Sequence, residues 1–432
     1  MARRSPLALL RSSSIDLTAL RNSAPFRRLF SAQLVSSIGS QVTTVALMFQ
    51  IYQITKSSFA VGMLGLVQVV PILVFALVGG AIADAVDRRK LLVFIQLTML
   101  FTTGTLAVLA LGSPPVWALY VIAAVHAALY SIDGPTRSAV IPMLVDDETL
   151  RSAVQLREVL TQSGRVFGPL IGGALIATVS LSAAYTLDAL SFLFAMIVFF
   201  GLPSLVPTTR RRFEFSSITE GLRYVRASRA LSGTFAADLI AMIAGMPRAV
   251  FPAMAATTFA TVGPDSIVVG LLNAAPAFGA LAGLLMLGGL TARVEREGLV
   301  VLVSIALWGL AIALFGLSPW FIPGLIFLAL AGAADMVSAV FRQTILLDIV
   351  PDELRGRTSS VHILVVSGGP PIGDFEAGAA ATFFGVRTSI VLGGGACMAG
   401  MALLAAWNKP LRTHTRSHHE TLTTSEVAPA KP

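Results

Sequence analysis

The chain has 432 residues, with hydrophobic side chains at 55% and charged ones at only 12%, about half the ~25% charge of a soluble domain. A soluble fold of this size cannot hide so much apolar surface, so disorder, a secreted disulfide scaffold and an ordinary cytosolic enzyme are all excluded. One cysteine, Cys397, rules out a disulfide or cysteine-based metal site, and the formal charge of +8 suggests nucleic acid only if the basic residues share a water-facing patch.

Residues 1–28 are basic and serine-rich without an apolar centre, so they read as an arm and not as a cleavable signal. Apolar runs of about 20 residues then predict twelve membrane spans. In chain order they cover 29–53, 58–83, 91–112, 115–136, 154–179, 182–202, 231–256, 266–290, 298–317, 319–341, 358–384 and 386–407. The longest connection, 203–230, divides a six-helix bundle over 29–202 from a second over 231–407, and 408–432 reads as a disordered tail. The fold class is therefore an all-α membrane protein of two six-helix bundles.

With the N-terminus placed in the cytoplasm, 27 of the 31 Lys and Arg fall in the arm, the even-numbered connections, the central loop and the tail. Lys56 and Arg387 fall outside, and Arg165 and Arg248 lie within spans. This asymmetry is a topology signal, with both termini cytoplasmic and no nucleic-acid role. Trp117 and Trp320 each follow a Ser-Pro turn at the outer start of spans 4 and 10 and read as interfacial anchors.

Span 1 carries Gln33, Ser37, Ser40, Gln41 and Thr44 at helical spacing. Span 2 runs into Gly80-Ala81-Ile82-Ala83-Asp84-Ala85-Val86-Asp87-Arg88-Arg89-Lys90. Here Gly80 permits close helix approach, and Asp84 suits a basic partner. Span 4 carries His126, Tyr130, Asp133 and Arg137 as one stripe, and span 5 carries Glu158, Gln162 and Arg165. Span 5 also contains Gly164-Arg165-Val166-Phe167-Gly168-Pro169-Leu170-Ile171-Gly172-Gly173, small residues that let helices pack backbone to backbone. Span 7 holds Asp238 and Met242, and span 10 holds Asp335 and Arg342. Ionisable groups at membrane depth are costly and face a cavity or a partner. In span 11, Gly368-Gly369-Pro370-Pro371-Ile372-Gly373 precedes Asp374 and Glu376. Two prolines remove two backbone donors and predict a broken or kinked helix. Asp374 and Glu376 would point about 200° apart on a regular helix, toward different partners.

The halves repeat. Arg137 and Arg342 lie 205 residues apart, Leu150-Arg151 and Leu354-Arg355 204, and Gly168-Pro169 and Gly369-Pro370 201. Such parallel pseudo-symmetry is typical of transporters with a substrate site between the halves.

The segment after span 2 resembles the loop 2–3 signature of the major facilitator superfamily, G-x-L-a-D-r-x-G-r-k, with Gly80, Ala83, Asp84, Arg88 and Arg89 matching. Ala85 replaces the usual Arg there and Asp87 the usual Gly. The span-5 pattern resembles the antiporter motif of drug exporters in that superfamily through Gly164, Gly168, Pro169, Gly172 and Gly173, with Gln155 where a Gly is usual. Pro135-Thr136-Arg137-Ser138-Ala139, Asp188-Ala189-Leu190-Ser191-Phe192, Phe341-Arg342-Gln343 and Pro351-Asp352-Glu353-Leu354-Arg355-Gly356-Arg357 place the chain near the enterobactin-exporter-like branch, which includes drug efflux pumps.

The resemblance implies a monomeric exporter of bulky amphipathic molecules, either drugs or siderophores. It implies a cavity lined by helices 1, 4, 7 and 10 and alternating access driven by protons. The cavity set is then Gln33, Ser37, Gln41, Thr44, His126, Tyr130, Asp238, Met242 and Asp335. Gly80, Asp84, Arg88, Asp133 and Arg137 form a cytoplasmic gate with one charge network. The superfamily's mid-helix Arg in span 4 is absent, so proton coupling is not inherited from it, and the candidates are the mid-membrane carboxylates Asp374, Asp335, Glu376 and Asp238. No cofactor or metal is expected. An importer on the same fold is opposed by the span-5 motif. An intramembrane prenyl transferase is opposed by Asp146-Asp147-Glu148, which lacks the third Asp of a metal pair at Arg151. There is no ATP-binding P-loop.

Overall fold

The structure is a computed structural model that describes residues 16–207, 215–287 and 294–415. Twelve long helices carry the fold: α1 Ala24–Thr55, α2 Ser58–Ala85, α3 Arg88–Leu109, α4 Val116–Leu144, α5 Asp147–Thr178 and α6 Leu181–Phe200 in the first half. The second half has α7 beginning at Arg229–Ala244, α8 Asp265–Leu287, α9 Glu297–Leu317, α10 Phe321–Ile349, α11 Asp352–Phe384 and α12 Val386–Trp407. Among the described residues there is no strand.

Local chemistry sets the helix starts. The side chains of Ser23, Ser57, Asp87, Ser180 and Ser228 accept from backbone N–H groups at the starts of α1, α2, α3, α6 and α7, meeting donors that have no partner inside the helix. The turn from α1 to α2 passes through Lys56 at φ 50, the one non-glycine residue with positive φ among those described.

Ten of the helices are long and apolar enough to cross a membrane; α5 and α11 are not among them. Those two pack along α1 and α8, and along α2 and α7, so neighbouring helices and not lipid surround much of their surface. Trp117 and Trp320 stand 67% and 70% exposed beside the starts of α4 and α10.

The internal repeat is visible in the helices. Both α4 and α10 have 29 residues, and each carries its buried arginine, Arg137 or Arg342, about two turns before its end. Twelve crossings bring both ends of the bundle to one face, here called the terminal face.

Two sequence expectations are corrected. Span 11 is one continuous helix through Pro370 and Pro371. The break falls in span 7, where α7 stops at Gly245 and resumes through a 3₁₀ turn Arg248–Val250 and a short helix Phe251–Ala256. Gly245 and Pro247 supply the break, and the Trp308 indole N–H donates to the Gly245 carbonyl at 3.0 Å. A proline inside a helix costs a donor, but packed neighbours hold such a helix together within a bilayer. The tail expected to be disordered begins as a short helix, Lys409–Arg412, whose Leu411 is fully buried against Gly233 of α7 and Gly298 of α9. The remaining tail (416–432), the first part of the arm (1–15), and the loop arginines Arg210, Arg211, Arg212 and Arg293 lie outside the described residues.

Among the described residues, the buried apolar clusters join the two halves on one face only. Near the far face, apolar clusters mix residues of both: Val45 and Phe49 join the second-half core, and Ala249 and Ala253 join that of the first half. Near the terminal face, each cluster stays within its own half. The described structure is thus closed at the far face and parted at the terminal face.

Candidate functional site

Closure at the far face depends on glycine. A Cβ on Gly173 of α5 would sit 3.2 Å from the Cα atoms of Gly270 and Ile267 of α8, and collide with the Ser266 carbonyl. On the other flank, Gly62 and Gly65 of α2 face Asp374, Gly378 and the Pro371 carbonyl of α11, with a Cβ on Gly62 only 2.7 Å from the Asp374 carbonyl. Backbones therefore touch across the halves at two places, and any larger residue would prise them apart.

Behind this seal lies a cavity of about 130 Å³ shared by both halves. One wall is α1, through Ser40, Thr43 and Thr44, with His126 of α4 beside it; the other is Arg248 and Asp374. The Arg248 guanidinium donates to both Asp374 oxygens, at 2.7 and 3.3 Å. Asp374 is buried, while Arg248 keeps a 35% exposed side chain toward the cavity. A two-pronged contact of this kind fixes the orientation of both groups.

The expected cavity residues divide into several environments. Thr44 and His126 line the cavity. His126 Nε2 shares hydrogen bonds with the hydroxyls of Thr102 and Thr103 at 2.7 and 3.2 Å, and its ring meets Phe192 edge to face. Ser37 and Gln41 instead abut Gly164 and Gly168, so the antiporter-motif glycines seat α5 against α1. Gly172 continues this contact onto Val42, while Gly173 points the other way, onto α8. Met242 packs on Gly369 and Gly373 of α11. Tyr130 is 58% exposed. Gln33 is half-buried toward the terminal end of α1.

In the second half, Arg342 lies 2.9 Å from Asp238 and 3.7 Å from Asp335. Asp238 and Arg342 are buried, and Asp335 is 40% exposed. Glu376 turns away from Asp374 to a small recess beside Gly245, Pro247 and Ser389.

The expected gate forms two separate pairs. Asp84 meets Arg88 at 2.8 Å, and Arg88 also donates to the Ala139 carbonyl of α4 at 3.1 Å. Asp133 meets Arg137 at 2.6 Å within α4, accepts from Gln96 of α3 at 3.2 Å, and leaves Arg137 to bond Ser36 of α1 and lie on the Phe199 ring. The charged network is thus split: one pair clips α2 to α3 and α4, and the other ties α4 to α1, α3 and α6. Gly80 has open space around it.

Outside the spans, Asp87 caps α3. Partial burial pushes its carboxyl up, but the Ser204 hydroxyl at 2.7 Å, the Leu205 and Arg89 N–H groups and the charge of Lys90 together hold it below the usual carboxylate range. This residue replaces the signature glycine and latches the turn to Ser204 and Leu205, just after α6.

Sequence reading missed Arg248, Thr43 and Asp188. Arg248 stood inside an apolar run, but nothing local pairs it with Asp374, which lies 126 positions away.

The transmembrane secretion effector family matches residues 15–428 of the chain. The chain belongs to this family, within the major facilitator superfamily. It is a multi-pass membrane transporter and not an enzyme. It is 30% identical over 349 residues to the enterobactin exporter EntS of Shigella boydii, covering 80% of this chain and 83% of that protein. It is 28% identical over 393 residues to EntS of Citrobacter koseri, covering 90% and 93%. Among solved structures, the nucleoside transporter NupG superposes with a TM-score of 0.74 at 10% identity, covering 89% of this chain and 98% of that one. A bacterial homologue of the lysosomal transporter Spinster gives 0.67 at 17% identity, covering 88% and 94%. At such identities the structures speak for the fold alone.

Proposed function

We propose that this transporter is a secondary active exporter of bulky amphipathic small molecules, with siderophores the leading cargo class, driven by proton antiport. The observation that carries the reading is the shared cavity: sealed by glycine contacts at the far face, parted at the terminal face, and walled by hydroxyls on one side and an ion pair on the other. Such a chamber takes cargo from the terminal face and releases it once the seal opens and the opposite ends close. The enclosed volume is smaller than a bulky cargo, which would extend into the gap toward the terminal face.

The distribution of Lys and Arg supports a cytoplasmic terminal face, and hence both termini inside and the far face outside, in the inner membrane. Export then follows from loading at the cytoplasmic side. The similarity to enterobactin exporters favours a siderophore over a nutrient. The Arg137 and Arg342 clusters hold the cytoplasmic ends of each half as rigid units that rock against each other. One proton crossing 100 mV supplies about 2.3 kcal/mol, enough drive for a useful gradient.

The experiment is accumulation of enterobactin and of a panel of cationic dyes by inverted membrane vesicles carrying the protein, with an imposed inward-acid gradient. Accumulation of enterobactin that collapses with a protonophore is expected. Dye accumulation without enterobactin would move the cargo to drugs, and uptake in the opposite direction would make the protein an importer.

A further inference from the structure

Among the described residues, and apart from Glu297 at the first residue of α9, four carboxylates lie buried within the spans, and three of them meet arginines: Asp133 with Arg137, Asp238 with Arg342, and Asp374 with Arg248. The fourth, Asp188 of α6, is fully buried and meets hydroxyls instead. Thr43 Oγ1 of α1 donates to its Oδ2 at 2.6 Å. The Ser191 hydroxyl divides its single proton between the Asp188 carbonyl at 2.7 Å and Oδ1 at 3.1 Å. The other side is shut by backbone: a Cβ on Gly39 would collide with Oδ1 and with Ser191. Gly39 is thus what lets α1 lie directly on the carboxyl.

No helix around this part of α6 offers a counter-charge: on α1 the charged residues are Arg27 and Arg28, at its terminal end, donating to the Leu20 and Gly201 carbonyls. On α4, His126 bonds Thr102 and Thr103 and faces Phe192, while Arg137 is engaged by Asp133 and Ser36. On α6 itself, the Tyr185 hydroxyl is given to Gln50 of α1 at 2.7 Å. The charged residues of α3 lie at its first turn, and α5 has none along its last turns, where it approaches α6. Among the described residues no cation lies within ion-pair reach of Asp188. A carboxylate held this way is costly, and a proton on it removes the charge.

Thr43 also lines the shared cavity. Asp188 therefore stands one hydroxyl away from the cargo chamber, on the wall facing the Arg248–Asp374 pair. We propose that Asp188 is a proton-binding site loaded from the cavity through the Thr43 hydroxyl. The step balances simply. Thr43 passes its proton to Asp188 Oδ2 and takes one from a hydronium in the cavity; one proton moves from water to carboxyl and nothing else changes. Use of this site for export rests on the antiport reading above, but the site itself does not.

The test uses the full-length protein in nanodiscs and infrared difference spectroscopy of the protonated carboxyl. Wild type should show a carbonyl band of a buried protonated carboxyl at neutral pH, lost in Asp188→Asn and kept in Asp374→Asn. Thr43→Val should keep the band but slow its exchange into deuterated water by on the order of tenfold or more, and Thr43→Ser should restore the rate. A band that survives Asp188→Asn overturns the site, and Thr43→Val exchanging as fast as wild type overturns the path. Should the band behave as expected while wild-type transport moves no protons, the antiport reading falls and the proton site stands.

Discussion

Gly173→Ala is the sharpest perturbation of the closed state. Gly173 presents its α carbon to α8 of the other half, where a methyl group would meet two Cα atoms at 3.2 Å and run into the Ser266 carbonyl. Backbone atoms cannot rotate aside, so the halves must part locally. Overpacking of this kind costs about 1–3 kcal/mol, and here the cost falls only on the conformer closed at the far face. Alanine's higher helix propensity acts equally on both conformers and cancels. About 2 kcal/mol shifts the ratio of open to closed far face by about 30-fold. The assay is labelling of Thr44→Cys in the cavity by a membrane-impermeant maleimide added at the far face, where the sole native thiol, Cys397, is fully buried and silent. Labelling should rise by on the order of tenfold or more in the Gly173→Ala background. Gly172→Ala is the control: its methyl would meet Val42 of α1 in the same half at 3.2 Å, so accessibility should not change. Equal labelling of Gly173→Ala and wild type, with both folded, would refute the seal.

Asp84→Asn leaves Arg88 bonded to Ala139 but removes its charged partner; about 1–2 kcal/mol of the α2–α3–α4 clip should go, read as a lower melting temperature and several-fold slower transport. Asp374→Asn leaves the Arg248 cation without its carboxylate in the cavity wall, and cargo transport should fall by at least about tenfold, which a vesicle flux assay measures. Asp87 has a folded-state carboxyl held below its unfolded value of about 3.9, so its contribution is full above that pH and fades as pH falls through the folded value. Thermal melts from pH 6 down to 3 should therefore show a smaller acid-side loss in Asp87→Asn than in wild type, and identical slopes would contradict the latch.

Much of the architecture could be read without coordinates because lipid imposes a length and a composition on each span. Even α5 and α11, which are not among the ten helices apolar enough along their length to cross a membrane, each contain a run apolar enough to be read as a span. What could not be read was which buried charges meet. Arg137 and Arg342 sit at equivalent places, yet one takes its carboxylate from its own helix and the other from α7 as well. The break in the second half illustrates the same limit. Pro370 and Pro371 look like the stronger interruption, but α11 is clasped between α2 and α7 and stays helical, while Gly245 and Pro247 bend the chain where Trp308 satisfies the freed carbonyl. Asp188 carries no such signal in the sequence, since Ser191 is its one local partner and the close-lying α1 backbone and the Thr43 hydroxyl come from 145 or more positions away.

The most direct test of proton-driven export is simultaneous recording of proton and enterobactin fluxes in proteoliposomes of one orientation. With an imposed proton gradient, the account predicts enterobactin movement from the terminal face to the far face, an opposing proton flux that scales with it, and loss of both when the gradient is collapsed. Cargo movement at an undiminished rate with no accompanying proton flux would contradict it.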